Sequence, residues 1–542
     1  MSDSQDRDRP SRPGLTTERT VRRQPGDGGY RRLGIGPGEC HTRLGDAGEA
    51  ADGTAETVLR LVQVSDFQLA DFTSPTRLEF LQRIGDEPTW AQMVPSYRPQ
   101  EFAAVAQVEA LARTVRALAE AGRPADLVLT TGDNTDNQQV NELDQFIALM
   151  SGGARTRSFP PDTRPGTGTA GDPDPAYYHP DPEVADEWKD TRGFPGYARA
   201  LRDSAREFVS TGFGVRWLAC FGNHDALVQG RAPGSPGVAA LLAGEAKPVL
   251  LDEATRAATD ASDTPAMELY QHDPARFSGG PTAPVAADPD RRLFDRARFV
   301  AATRGADAAE AAEAAEAGGV AYFADEPHPA VRLLVLDTTN PGGHVDGSLG
   351  TEQFRWLRAQ LDGALASDQL VVVASHHGLS TMTNGYVARD ESGAARPGQD
   401  LPRVLGPEIE ELLLSYPNVA LWLSGHTHRN RVGAVGPDGQ GFWQVSTSAT
   451  IDWPCQARLV EIAVEGDHVL LRLTMLDHLA HAAPGDEDSP LLRVAAAGRE
   501  IAANILDGVG GDRAEGATAD RNVELTVRVP DGVLKALADR RP

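Results

Sequence analysis

The chain has 542 residues, an apolar share of 40 % and a formal net charge of −26. That acidic balance repels nucleic-acid phosphates and argues against a nucleic-acid partner, but it leaves room for a small phosphorylated substrate, because bound dications would dominate the local potential. No run of about 18 apolar residues occurs, so no membrane span is expected.

The three cysteines, Cys40, Cys220 and Cys455, are odd in number and far apart. They suit neither a disulfide framework nor a cysteine-type zinc site. The pairs Arg22-Arg23 and Arg31-Arg32 lead into no apolar stretch, so no cleaved export signal is expected and the expected location is cytoplasmic.

Residues 1–55 are rich in Arg, Asp, Gly and Pro without a period and read as a disordered or surface-lying tail. Leu59–Val64 is the first strand, and it runs into Ser65-Asp66. Phe102, Val105, Val108, Leu111, Val115 and Leu118 recur at helical spacing, and Gly122 and Pro124 close that helix. Leu127–Thr130 is a short buried strand before Thr131-Gly132-Asp133-Asn134. Val215–Ala219 is another, leading to Gly222-Asn223-His224-Asp225. Two insertions, about 151–210 and 228–318, interrupt the pattern, and the Ala/Glu tract 306–317 in the second predicts a surface helix. Strands follow at 331–336, 370–374 and 419–423, with a helix at 351–363. Further strands fit 442–447, 457–464, 469–476 and 523–529. The reading is one domain over 56–480 and a C-terminal extension over 481–542.

Strands alternating with helices predict an α/β fold whose sheets are covered on both faces. In such sheets, sites form at the carboxyl ends of strands. Five polar loops stand there: Asp66-Phe67-Gln68, Gly132-Asp133-Asn134, Gly222-Asn223-His224-Asp225, Ser375-His376-His377-Gly378 and Ser424-Gly425-His426-Thr427-His428. Each alone is an ordinary turn. Together they hold five of the thirteen histidines, which makes coincidence the poorer explanation. Carboxylate, amide and imidazole donors suit borderline divalent ions such as Mn, Fe or Zn. A pair of such ions needs a bridging carboxylate, which Asp133 can supply.

The ordered set Asp-x-Gln, Gly-Asp, Gly-Asn-His-Asp, His and Gly-His-x-His resembles the signature of calcineurin-like metallophosphoesterases. Leu336-Asp337-Thr338-Thr339, with Gly347, Leu349 and Gln353–Leu357, is similar to the class III cyclic nucleotide phosphodiesterase branch. The resemblance implies a four-layer α-β-β-α sandwich of two mixed sheets, and hydrolysis of a phosphodiester or phosphomonoester by a metal-activated hydroxide. It implies two divalent metals, the first on Asp66 and His428, the second on Asn223, His376 and His426, with Asp133 between them. His224 would protonate the leaving oxygen or stabilise the developing negative charge, and Asp225 would orient His224. The first motif normally ends in histidine; here Gln68 stands there, either as a poorer ligand or behind the ligands. Asn134, His377 and Asn384 are candidate substrate contacts, with turn-building or structural roles as the alternatives for Asn134 and His377. The alternative function is a metal-binding scaffold or interaction protein of the same fold without turnover.

Overall fold

The computed structural model describes residues 14–25, 29–45, 55–304 and 320–539, apart from positions 95, 162, 165, 170–172, 390–391, 397, 438–440, 486–487, 508 and 510. The expected helix over 306–317 and the first thirteen residues of the expected tail lie outside the described residues. Before the domain come β1 (Arg19–Arg23), β2 (Leu33–Pro37) and β3 (Thr42–Leu44). The core opens with β4 (Glu56–Val64) and β5 (Leu127–Thr130); a small ribbon, β6 (Arg155–Thr156) with β7 (Phe208–Val209), lies in the first insertion. Then come β8 (Trp217–Ala219), a second ribbon of β9 (Ala246–Pro248) and β10 (Thr282–Pro284), β11 (Phe323–His328) and β12 (Val331–Val335). The chain continues through β13 (Leu370–Ala374), β14 (Val419–Ser424), β15 (Arg431–Val435) and β16 (Phe442–Ser446). It ends with β17 (Gln456–Glu465), β18 (His468–Asp477) and β19 (Val523–Val527).

Two mixed sheets carry the fold. One has seven strands in the order β3-β19-β18-β17-β4-β5-β8, the other six in the order β11-β12-β13-β14-β16-β15. Strands β4, β5 and β8 run parallel, as do β12, β13, β14 and β16. Side chains alternate with a period of two, so each strand serves two cores. Leu59 and Leu61 of β4 meet Val372, Ala374, Leu421 and Leu423 of the other sheet. Val62 and Val64 point away, onto the helix Ala104–Glu120 through Val105, Val108, Leu111 and Val115. On the far side, Val371, Val373 and the fully buried Trp422 pack on the helix Thr351–Ala366 through Leu357 and Leu361. The result is the four-layer α-β-β-α sandwich. Each fully buried Leu or Val contributes roughly 1.5–3 kcal/mol, so the sandwich is a rigid platform for its loops.

Both stretches flanking the expected domain contribute to the fold. In the stretch read as a disordered or surface-lying tail, β3 joins the seven-stranded sheet in parallel with β19, and Leu15 and Leu33 are buried. In the C-terminal extension, β19 pairs with β18, and the helix Pro490–Ala502 packs its alanine face on Ala103, Ala106 and Ala110. These pairings join opposite ends of the chain, so local composition does not show them. Among the described residues no helix is long and apolar enough to cross a membrane.

Candidate metal centre

The carboxyl ends of β4, β5 and β8 from one sheet and of β13 and β14 from the other open on one edge of the sandwich. Backbone bonds from Asp66 N to Gly132 O (3.0 Å) and from Gln68 N to Asp133 O (2.9 Å) carry the β4 and β5 loops side by side past the strand ends. Eleven non-glycine residues among those described have a positive φ, and five of them are Asp66, Gln68, Asp133, His426 and His428. Strained backbone concentrated at one edge marks a place where side-chain direction outranks local stability. Two glycines permit the approach. A Cβ on Gly222 would lie 2.2 Å from Asp133 Oδ1, and one on Gly425 would lie 2.0 Å from Ser65 Oγ and 2.6 Å from Asp66 Oδ2.

The structure brings together all six expected ligands. His376 Nε2 lies 2.9 Å from Asn223 Oδ1 and 3.2 Å from Asp133 Oδ2. His426 Nδ1 faces His376 Nε2 at 3.2 Å. His428 Nε2 lies 3.2 Å from Asp66 Oδ1. Donors on one ion at 2.0–2.2 Å and near-tetrahedral or right angles stand roughly 3.0–3.4 Å apart, so these spacings suit shared cations. The buried Gln68 Oε1 has no hydrogen-bond partner, and the buried Asp66 Oδ1 has only its contact with the His428 ring. An unpaired buried acceptor costs about 1–3 kcal/mol, which a bound cation would offset. Asp66, Asp133 and His376 form one group of convergent donor atoms, and His376, His377 and His426 another. On chemistry and spacing, then, the residues fit a pair of divalent ions.

The electrostatics agree. Burial pushes the His376 imidazole down, but Asp133 and then Asp66 outweigh it and raise it to about 9. Burial likewise lowers His428, while Asp66 and Asp452 together raise it to about 9. Asp133 is held well below the usual carboxylate range by His376 and His224 in spite of its burial. His426 is lowered, by burial first and by the charge of His376. An anionic cleft whose imidazoles attract protons attracts cations for the same reason.

Gln68 sits beside the Asp133 carboxylate, its Nε2 3.4 Å from Asp133 Oδ2. His224 lies at the rim. Its backbone N–H donates to Asp133 Oδ1 at 2.8 Å, and its Nδ1 contacts the Asp136 carbonyl at 2.8 Å and the Asp136 carboxylate at 3.5 Å. Asp136, not Asp225, therefore orients this ring, which corrects the expectation. Asp225 is consumed elsewhere. It accepts from the backbone N–H groups of Gly222, Asn134 and Thr135 and from the Asn134 amide and Thr135 hydroxyl, locking two motif loops together.

The candidate substrate contacts have their polar atoms engaged within the protein. Asn134 accepts from Thr130 Oγ1 and donates to Cys220 O and Asp225. His377 has Nδ1 on Thr338 Oγ1 and Nε2 on Val345 O, both at 2.8 Å. Asn384 donates to Gly343 O and Asp346 O and accepts from Asn340 and Tyr386. The Asp337-Thr338-Thr339 stretch works in the same frame, since Asp337 and Thr339 hold Arg296.

Sequence reasoning missed two acidic residues behind the histidines. Asp452 Oδ2 lies 2.6 Å from His428 Nδ1, and Asp346 Oδ1 lies 3.6 Å from His426 Nε2. Asp452 had a usable signal: it follows β16, the next parallel strand after β14, so its loop must open on the same edge.

A family model described as calcineurin-like phosphoesterase matches residues 59–430. No curated protein matches the chain. Among solved structures, a dimetal phosphatase from Danio rerio is similar at 12 % identity and a TM-score of 0.35, covering 78 % of this chain and 100 % of that one. The sulfate thiohydrolase SoxB of Thermus thermophilus, with glycerol bound, shares 15 % identity at a TM-score of 0.30, covering 79 % of this chain and 58 % of that one. A putative 5'-nucleotidase from Staphylococcus aureus shares 18 % identity at a TM-score of 0.18, covering 32 % of each chain.

Proposed function

The chain belongs to the calcineurin-like phosphoesterase family, and from that premise we propose that it hydrolyses a small phosphoester, diester or monoester, with two divalent cations at the edge where the five loops meet. The observation that carries the reading is the convergence of donor atoms at one edge, Gln68 Oε1 without a hydrogen-bond partner and Asp66 Oδ1 met only by the His428 ring, beside Asp133 and His376. Asp66, Gln68 and His428 would hold one cation, Asn223, His376 and His426 the other, and Asp133 would reach both. Bound there, divalent Mn, Fe or Zn supplies Lewis acidity at the phosphoryl oxygens and makes water a usable nucleophile near neutral pH.

The protein's own groups supply the rest. Asp133 accepts the His224 backbone N–H, which fixes the ring next to the donor set. Nδ1 carries the hydrogen that faces the Asp136 carbonyl, so a proton handed to the departing oxygen would come from Nε2 of the doubly protonated ring. Asp136 stays ionised: burial pushes it up, but Arg77 and His224 hold it below the usual carboxylate range. The second insertion closes over this corner. Asn223 Nδ2 donates to Gly230 O at 3.0 Å, and a Cβ on Gly230 would lie 2.5 Å from His224 Nε2. Insertions packed this close to the reacting nitrogen are the natural place for substrate choice.

The test is metal content together with hydrolysis of aryl phosphodiesters and monoesters. Asp133→Ala should lose both ions and all turnover. His224→Ala should keep both ions and lose about 10²–10⁴ in kcat. A purified protein that takes up no Mn or Zn and stays inactive would instead favour the scaffold reading.

A further inference from the structure

The three candidate ligand imidazoles are held from behind in three ways. His376 Nδ1 contacts the Thr131 carbonyl at 2.8 Å. His426 Nε2 has Asp346 at 3.6 Å, beyond hydrogen-bond reach, on a side chain 41 % exposed. His428 Nδ1 has Asp452 at 2.6 Å, on a side chain 14 % exposed. Asp452 is itself fixed: Oδ1 accepts Gln100 Nε2 at 2.7 Å and lies 3.5 Å from Arg98 Nε. Both carboxylate oxygens are thus committed, and the ring between Asp452 and Asp66 has one orientation.

A carboxylate behind a histidine sets which nitrogen bears the proton, fixes the ring plane and makes the forward nitrogen a better donor. Here the forward nitrogen is Nε2, 3.2 Å from Asp66 Oδ1. The same half of the site carries the amide of Gln68 as its remaining donor. An amide oxygen is a weaker donor than an imidazole nitrogen for a borderline divalent ion.

We propose that Asp452 is a positioning residue for the cation held by Asp66 and His428, and that its carboxylate offsets the weaker donor at position 68. Arg98 and Gln100 belong to the same device, because they keep the carboxylate aimed at the ring. The inference rests on the two-cation reading above and names what makes one half of that site work.

Mn²⁺ alone, titrated into the chelated full-length chain by calorimetry and counted by elemental analysis, tests it. Wild type should bind two ions. Asp452→Asn should weaken one of them by about 10–100-fold and leave the other unchanged. Asp452→Glu should recover part of the loss, and Gln68→His in the Asp452→Asn background should recover more, which a general packing defect would not allow. If Asp452→Asn fails to fold by circular dichroism, Gln100→Ala carries the test, with the same one-ion loss on a smaller scale. Two ions at wild-type affinity in Asp452→Asn, or equal weakening of both, would overturn the assignment. A wild type that binds no ion sinks the two-cation reading itself, a different failure read from a different sample.

Discussion

The two halves of the site are built on different terms. The half around Asn223, His376 and His426 has three side-chain donors of its own besides Asp133, and its histidines are backed by a main-chain carbonyl and a distant rim carboxylate. The half around Asp66 and His428 would have the Gln68 amide in place of a third strong donor, and it has a mostly shielded carboxylate behind its one histidine. Donor strength in front and charge behind trade against each other. What matters is the electron density delivered to the cation, and a fold can raise it from either side of the ring.

Proton competition gives the largest expected effect. His376 and His428 are both raised to about 9 in the metal-free protein, against about 6.5 for a free imidazole. A raised imidazole stabilises the fold fully below about pH 6.5, and that contribution is lost as pH rises through about 9. At most this is about 3 kcal/mol per ring. Chelated protein should therefore lose thermal stability across that window. Metal-loaded protein should not, because the cation has displaced the protons. Calorimetry in buffers of differing ionisation heat should show proton release on Mn²⁺ uptake near pH 7. Release that is identical in wild type and Asp452→Asn would say that Asp66 alone sets His428, and the contrast between the halves would weaken.

A smaller effect should follow from mending the weaker half in front. Gln68→His replaces the amide with an imidazole, and the first ion should bind about tenfold tighter, some 1.4 kcal/mol. Metal titration under limiting Mn²⁺ reads this directly. No change would place Gln68 outside the donor set, and Asp452 would then have nothing to offset.

Much of this was open to inspection in the chain itself. Runs such as Leu370–Ala374 and Val419–Ser424 are apolar on both faces, which only a strand covered by helix on one side and sheet on the other requires. Metal ligands must be of particular types at strand ends, so Asp133, Asn223 and His376 stood out. The supporting acids did not. Asp136, Asp346 and Asp452 each resemble the acidic residue of an ordinary turn, and only the three-dimensional approach of their loops to a ring gives them a task. Asn134, His377 and Asn384 show the opposite case: they carry suggestive chemistry, and neighbours distant in sequence, such as Cys220 for Asn134 and Thr338 for His377, engage it. The β3–β19 pairing was hidden because nothing at Thr42–Leu44 signals a partner some 480 residues away.

The smallest effect is the sharpest discriminator. Asp346 stands behind His426 as Asp452 stands behind His428, and on residue type alone the two are equivalent. They differ in distance, 3.6 Å against 2.6 Å, and in exposure. Thr383 Oγ1 also donates to Asp346, so part of its charge is already engaged. A carboxylate 41 % exposed at that distance interacts through solvent. Screening leaves such a pair about 0.2–1 kcal/mol. Asp346→Asn should therefore weaken the ion at His376 and His426 by about threefold or less in the same Mn²⁺ titration. A loss of tenfold or more would mean that loading the site draws the rim loop in until Asp346 bonds to Nε2. Both halves would then be supported from behind alike, and the exposure of Asp346 would be a poor guide to the charge that the loaded ring feels.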